Sequence, residues 1–163
     1  MAIREIRMEQ DPILRQKSKP VKEITPRIIE LLDDMKETMD RKDAVGIAAV
    51  QVGVLKRIFL ASIDDQFVEI LNPEIVDSKG ASISIEACLS IKDKVAYVQR
   101  PNWIIMKGMN RHGETIEIEA RGDLATVMCH EFDHLNGVLF TDRKIAPANE
   151  EELNKLKQYG TPA

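Results

Sequence analysis

The chain has 163 residues, 44% of them apolar and 31% charged, and its 23 lysines and arginines against 27 aspartates and glutamates give a net charge of -4. These proportions are those of an ordinary globular protein, so a single domain over residues 1–163 is expected. They exclude two classes of function: an acidic balance without a basic stripe gives no basis for specific nucleic-acid binding, and no run of about 18 apolar residues is present to span a membrane.

The N-terminal MAIREIRMEQD has neither the apolar core of a signal peptide nor a transit-peptide composition, so a cytoplasmic location is expected. The first helix begins with Thr25 as N-cap and Pro26 in the first helical position, followed by a stripe of Ile28, Leu31, Leu32, Met35 and Met39. Ile24 and Ile29 are spaced for a hydrophobic staple across its start. Between about residues 45 and 120 the pattern changes to β-rich runs at Arg57–Ala61, Gln66–Leu71, Val95–Gln99, Trp103–Lys107 and Thr115–Ala120. Asn72-Pro73, Lys79-Gly80, Arg100-Pro101 and the Asn110–Gly113 cluster separate them. The last two runs flank a turn and predict an antiparallel hairpin.

Helical periodicity returns over Asp123–Leu135 and stops at Asn136-Gly137. A short C-terminal helix follows, with Asn149 and Glu152 spaced as a capping box and Leu153 and Leu156 on one face. These elements predict an α+β fold: short antiparallel or mixed strands packed around a central helix, with an N-terminal helix and a short C-terminal one.

The central helix carries His130-Glu131-Phe132-Asp133-His134, a His-Glu-x-x-His segment. Residues four apart share a helix face, so both imidazoles can reach one ion while Glu131 moves a proton; two exposed surface histidines are the plain alternative. A catalytic site needs a third protein ligand and an open position. His112, the remaining histidine, falls in a turn and reads as solvated. Downstream, Asp142 and the acidic run at 150–152 have no matching context. Upstream, Cys88 sits in the apolar-flanked Ile85–Ser90 segment, as either a ligand or a small buried hydrophobe. With only Cys129 besides it, no disulfide framework is expected.

Three segments together, GIAAVQVG from Gly46, EACLS from Glu86 and HEFDHLNG from His130, resemble the peptide deformylases in order and spacing. The likeness extends to Asp11–Arg15, Asn72-Pro73 and Gly137–Phe140, nearly the whole chain. It implies that Cys88, His130 and His134 hold the metal, that Glu131 is the catalytic acid and base, and that Gln51 and the backbone amide of Leu89 bind the formyl oxygen. Gly46 would lie beside them, close to the substrate. The implied reaction removes the formyl group from formyl-methionyl nascent peptides, with formate as product. It needs one divalent ion per chain: Fe(II) by resemblance, with Zn(II), Ni(II) or Co(II) compatible with two imidazoles and a thiolate.

A methionine side chain asks for an apolar pocket, for which Ile47, Ile91, Val127 and Cys129 are the candidates. Arg100 resembles a family position near the substrate backbone, and Asp43 is expected to flank the groove. The analogy also suggests contact with the ribosome near the exit tunnel, for which the acidic start of the terminal segment gives only weak support as an rRNA contact; a monomer is expected. Glu86 is either a partner of a ligand or a solvated strand residue, and Gln51 without the resemblance is an ordinary polar residue.

The chain departs from the family pattern at Ala44, Val50, Ala87, Lys92 and Cys129. Alanine in place of a glycine with positive φ would cost on the order of 1 kcal/mol, which makes Ala44 and Ala87 the positions to inspect. Cys129 either fills space or pairs reversibly with Cys88. Two other readings follow: a metal-retaining, non-catalytic relative that binds or senses, and an unrelated zinc endopeptidase whose ligands do not include Cys88.

Overall fold

The computed structural model describes residues 2–149, 151, 152 and 154. Helix α1 spans Pro26–Arg41, and the Thr25 hydroxyl accepts from the Ile28 amide at 3.3 Å. The predicted stripe of Ile28, Leu31, Leu32, Met35 and Met39 is buried, together with Asp34 and Thr38. Those two polar residues are buried because the N-terminal segment lies along the helix. Asp34 accepts from the Ala2 amide at 2.7 Å and from Arg4 Nε at 2.9 Å, and Thr38 Oγ1 accepts from the Arg4 amide at 2.9 Å. Burial alone would raise the Asp34 carboxyl, but these donors outweigh it and hold it below the usual carboxylate range.

Eight strands follow: β1 (Gly46–Ala48), β2 (Ile58–Ile63), β3 (Gln66–Lys79), β4 (Ser82–Cys88), β5 (Ile91–Arg100), β6 (Trp103–Met109), β7 (Thr115–Arg121) and, after the second helix, β8 (Lys144–Ala148). They form one sheet in the order β1-β2-β3-β6-β7 and another in the order β4-β5-β8, and every pair of these strands is antiparallel. The hairpin is β6–β7, with Trp103 opposite Arg121 and Met109 opposite Thr115.

Three strands were not predicted: β1, β4 and β8. A fourth is longer than predicted. Asn72-Pro73, read as a separator, lies inside β3, where Asn72 takes φ 52° and the register slips between Leu71 and Glu74. The Asn72 side chain accepts from the Val21 amide at 2.8 Å and donates to its carbonyl at 2.9 Å, so the bulge that accommodates Pro73 is tied down.

Helix α2 (Gly122–Leu135) ends as predicted, with Asn136 as C-cap and Gly137 at φ 73°. Alternate residues of β2 face different layers. Ile58 and Leu60 join the cluster with α1, whereas Phe59, Ala61 and Ile63 join the cluster with α2. Ile24 and Ile29 pack against the α1 cluster. The α2 cluster also takes in Ile91, Ala96 and Val98 of β5, so α2 runs between the two sheets and is buried along most of its length.

No helix among the described residues is long and apolar enough to cross a membrane. Near the C-terminus the Asn149 side chain accepts from the Glu152 amide at 2.8 Å, and Glu151, Glu152 and Asn154 are helical. Leu153 and Leu156, on which the amphipathic reading of this segment rests, lie outside the described residues.

Candidate metal centre

Burial of α2 between the sheets places His130, Glu131 and His134 inside the molecule, each less than a tenth exposed. Cys88 comes to them from the end of β4, where a register shift after Glu86 turns the strand. One donor atom from each of Cys88, His130 and His134 lies within 4.8 Å of the others, and Cys88 Sγ is 3.4 Å from His134 Nε2. His112 is an exposed turn residue, as expected.

A salt-bridged chain behind His130 fixes the orientation of its ring. Glu86 is buried and its Oε1 lies 2.8 Å from His130 Nδ1, which leaves Nε2 for the ion. Arg100 donates to Glu86 through Nε at 2.9 Å and a terminal nitrogen at 2.8 Å, and through its other nitrogen to Asp133 at 2.6 Å. Arg143 donates to the same Asp133 carboxylate. Burial would raise the Glu86 carboxyl, but Arg100 and His130 bring it down to about 2, so it stays ionised. Of the two readings of Glu86, the structure bears out the buried partner of His130 and not the solvated strand residue.

Burial pushes the Glu131 carboxyl up to about 7. Its Oε1 is buried without a hydrogen-bond partner among the described residues, and Gly46 runs directly past it: a Cβ on Gly46 would stand 2.5 Å from Glu131 Oε2. Gln51 lies in a 3-10 turn, Ala49–Val52, directly after β1. Its Oε1 accepts from the Ala48 amide at 2.8 Å, and Nε2 donates to Ser90 Oγ at 3.1 Å while lying 3.6 Å from Cys88 Sγ.

These groups open on a cavity of about 290 Å³, with Gly46, Gln51, Cys88, Leu89, His130 and Glu131 in its lining. A larger cleft of about 930 Å³ lies among Arg4, Lys22, Arg27 and Lys56. Donor chemistry rather than volume identifies the site, because among the described residues the larger cleft contains no group of metal-ligating side chains.

The other sequence-predicted residues divide. Val127 and Asp43 line the cavity. Ile47 faces the α1 cluster, and Ile91 and Cys129 lie in the α2 cluster, none of them on the cavity wall. Arg100 is buried in the ion-pair chain and does not reach the groove, which corrects the expectation of substrate contact. Burial pushes the Cys129 thiol up to about 11, and both cysteines are free, as space-filling at Cys129 requires. Neither Ala44 nor Ala87 has positive φ, so the strain considered for them is absent.

Sequence reading missed Val45 and Thr126 on the cavity wall and the part played by Asp133. Thr126 stands four residues before His130, so helical periodicity alone would have placed it on the ligand face.

Two imidazoles and a thiolate at this separation suit a divalent first-row ion. The partnerless Glu131 oxygen beside them suits a group that receives a proton.

Residues 3–151 match the family model described as polypeptide deformylase. A peptide deformylase of Acetivibrio thermocellus is 47% identical over 158 residues, 97% of this chain and 93% of that protein. The crystal structure of peptide deformylase from Thermotoga maritima superposes with a TM-score of 0.86 at 38% identity, over 88% of this chain and 99% of that one. A class I type b peptide deformylase of Acinetobacter baumannii with Met-Ala-Ser bound superposes at 0.82 with 30% identity, over 86% of this chain and 98% of that one.

Proposed function

The chain belongs to the polypeptide deformylases, and we propose that Cys88, His130 and His134 hold the divalent ion with which it removes the formyl group from N-terminal methionine. It is a metal-dependent hydrolase acting on newly made polypeptides, with formate as product. The observation that carries the residue assignment is the convergence of the three donor atoms within 4.8 Å on a cavity that Glu131 and Gln51 also line.

When bound, the ion polarises the reacting amide and makes water acidic enough to lose a proton near neutral pH. Glu131 takes that proton on its carboxylate and returns it to the departing methionine nitrogen. A carboxyl raised toward neutrality by burial suits this double duty, since it neither holds nor releases the proton too firmly. Gln51 and the Leu89 amide donate to the formyl oxygen as charge develops on it. Oε1 is held by the Ala48 amide, and Nε2 donates to Ser90 Oγ and to Cys88 Sγ, which fixes the amide at the edge of the site; the weak donation to sulfur is the one a formyl oxygen would take over. Donors of this kind are each worth roughly 2.7–4 kcal/mol in comparable sites.

Glu86, Arg100 and Asp133 position His130 rather than touch substrate. Fe(II) is the ion we assign, with Zn(II), Ni(II) and Co(II) able to occupy the same donors. The substrate emerges from the ribosome, so the enzyme meets it in the cytoplasm near the exit tunnel. Each chain holds all three ligands, which supports a monomer acting as one catalytic domain over residues 1–163.

The non-catalytic alternative drew on Ala87 and Cys129, and the structure leaves neither as an obstacle: one backbone is unstrained and the other side chain is buried away from the cavity. Membership of the family removes the unrelated endopeptidase. Anaerobic formate release from formyl-Met-Ala-Ser by the ferrous enzyme tests the proposal, and a fully metal-loaded protein releasing none would refute it.

A further inference from the structure

The larger cleft takes no part in the chemistry above. It shares no lining residue with the metal centre, and its volume of about 930 Å³ falls in the range of ligand pockets. Val21, Ile28, Leu31 and Val54 make its wall chiefly carbon. Around that wall stand Lys19, Lys22, Arg27 and Lys56, gathered in one place on a chain whose net charge is -4. Among the described residues none of these four cations forms an ion pair, and the carboxylates of the lining, Glu23 and Glu30, pair with none of them. Arg4, the remaining cation of the lining, is committed to Asp34.

The backbone sets two of the cations side by side. Lys19 and Lys56 face each other in a parallel bridge, with the Lys19 amide donating to the Leu55 carbonyl at 3.1 Å and the Arg57 amide to the Lys19 carbonyl at 2.9 Å. Like charges directly opposite one another repel, so the fold carries a cost there that an anion between them would offset. Helix α1 begins at the same cleft, and its N-terminal end also favours negative charge.

We propose that this cleft docks an acidic peptide segment with aliphatic side chains. Its carboxylates would meet Lys19, Lys22, Arg27 and Lys56, and its aliphatic groups the carbon wall between them. Nucleic acid fits less well, because the lining has no aromatic ring on which a base could stack. The scattered sequence positions of the four cations explain why no basic stripe is visible in the chain. The site is independent of the deformylase reading: it lies apart from the metal centre and would tether the enzyme to a partner without occupying the substrate cavity.

The test is fluorescence anisotropy of the full chain with a labelled peptide of alternating Glu-Glu and Leu-Leu pairs, at low ionic strength. Saturable binding is expected, weakening as salt is raised. Lys19→Glu together with Lys56→Glu should weaken it about tenfold or more, while formate release from formyl-Met-Ala-Ser stays at the wild-type rate. Lys22→Glu with Arg27→Glu, both exposed side chains, repeats the test at a second place and should give the same loss. Serine in place of leucine in the peptide should weaken binding about threefold or more. The proposal is overturned by absence of saturable binding up to about 1 mM peptide, or by unchanged affinity in both charge-reversed variants. Equal affinity for the serine peptide, or tighter binding of a single-stranded RNA oligonucleotide than of the acidic peptide, overturns it too.

Discussion

Gly46→Ala tests the position of Glu131 without altering a candidate metal ligand. Gly46 has no positive φ, so alanine is compatible with its backbone, and it is not a metal ligand. The added Cβ would stand 2.5 Å from Glu131 Oε2 and 2.9 Å from Cδ and Cγ, where ordinary contact begins at 3.4 Å. The carboxylate must therefore withdraw by about 1 Å, and it is buried on a helix packed between two sheets, with little room to do so. A displacement of about 1 Å in a reacting group can cost on the order of 10²-fold in rate. We expect kcat for formate release to fall by about that factor, with metal content unchanged and stability lowered by about 1–3 kcal/mol, the usual cost of overpacking. A variant with kcat within about threefold of wild type would show that Glu131 need not sit where the structure has it, and would refute the reasoning.

Replacing Arg100 by Leu strips two buried carboxylates, Glu86 and Asp133, of their shared partner. Denaturant unfolding should show a loss of about 3–5 kcal/mol, and metal competition a loss of about 10–100-fold in affinity; a loss below about 1 kcal/mol would contradict the ion-pair chain. Because Asp34 is held below its ordinary value of 3.8, its contribution is fully present above that value and is lost as the pH falls through its lower folded value. The stability gap between wild type and Asp34→Asn should accordingly stay constant from neutral pH down to the ordinary aspartate range and narrow only below it. A gap that closes between pH 7 and pH 5 would show that another group is responsible. Ferrous enzyme held through a thiolate is open to oxygen at both iron and sulfur, so activity should decay faster in air than that of the Ni(II) or Co(II) enzyme; equal decay would argue against Fe(II) at Cys88.

The helices were legible because each carries its own boundary signals: Thr25-Pro26 opens α1, and Asn136-Gly137 closes α2. The missed strands lack such signals. β1 has three residues, all buried, and so shows no alternation; β8 is a short, exposed edge strand containing Pro147. β3 runs through Asn72-Pro73 because a contact with Val21, 51 residues away, holds the bulge. The same distinction separates the parts of the site. His130, Glu131 and His134 share five consecutive residues, and the family resemblance supplied Cys88. The chain from His130 through Glu86 and Arg100 to Asp133 spans separations of 44, 14 and 33 residues, and only the meeting of β4, β5 and α2 brings it together. Arg100 was misplaced for that reason: likeness to a family position suggested a substrate contact, while the side chain is buried in the ion pairs behind His130.

The most direct test of the central claim is formate release per bound ion in Glu131→Gln beside wild type, both loaded anaerobically with Fe(II) and checked for metal content. If Cys88, His130 and His134 alone hold the ion and Glu131 moves the proton, the variant should bind one ion per chain and lose about 10²–10⁴-fold in kcat. A variant that keeps its rate, or that loses its metal together with its activity, would contradict that division of roles.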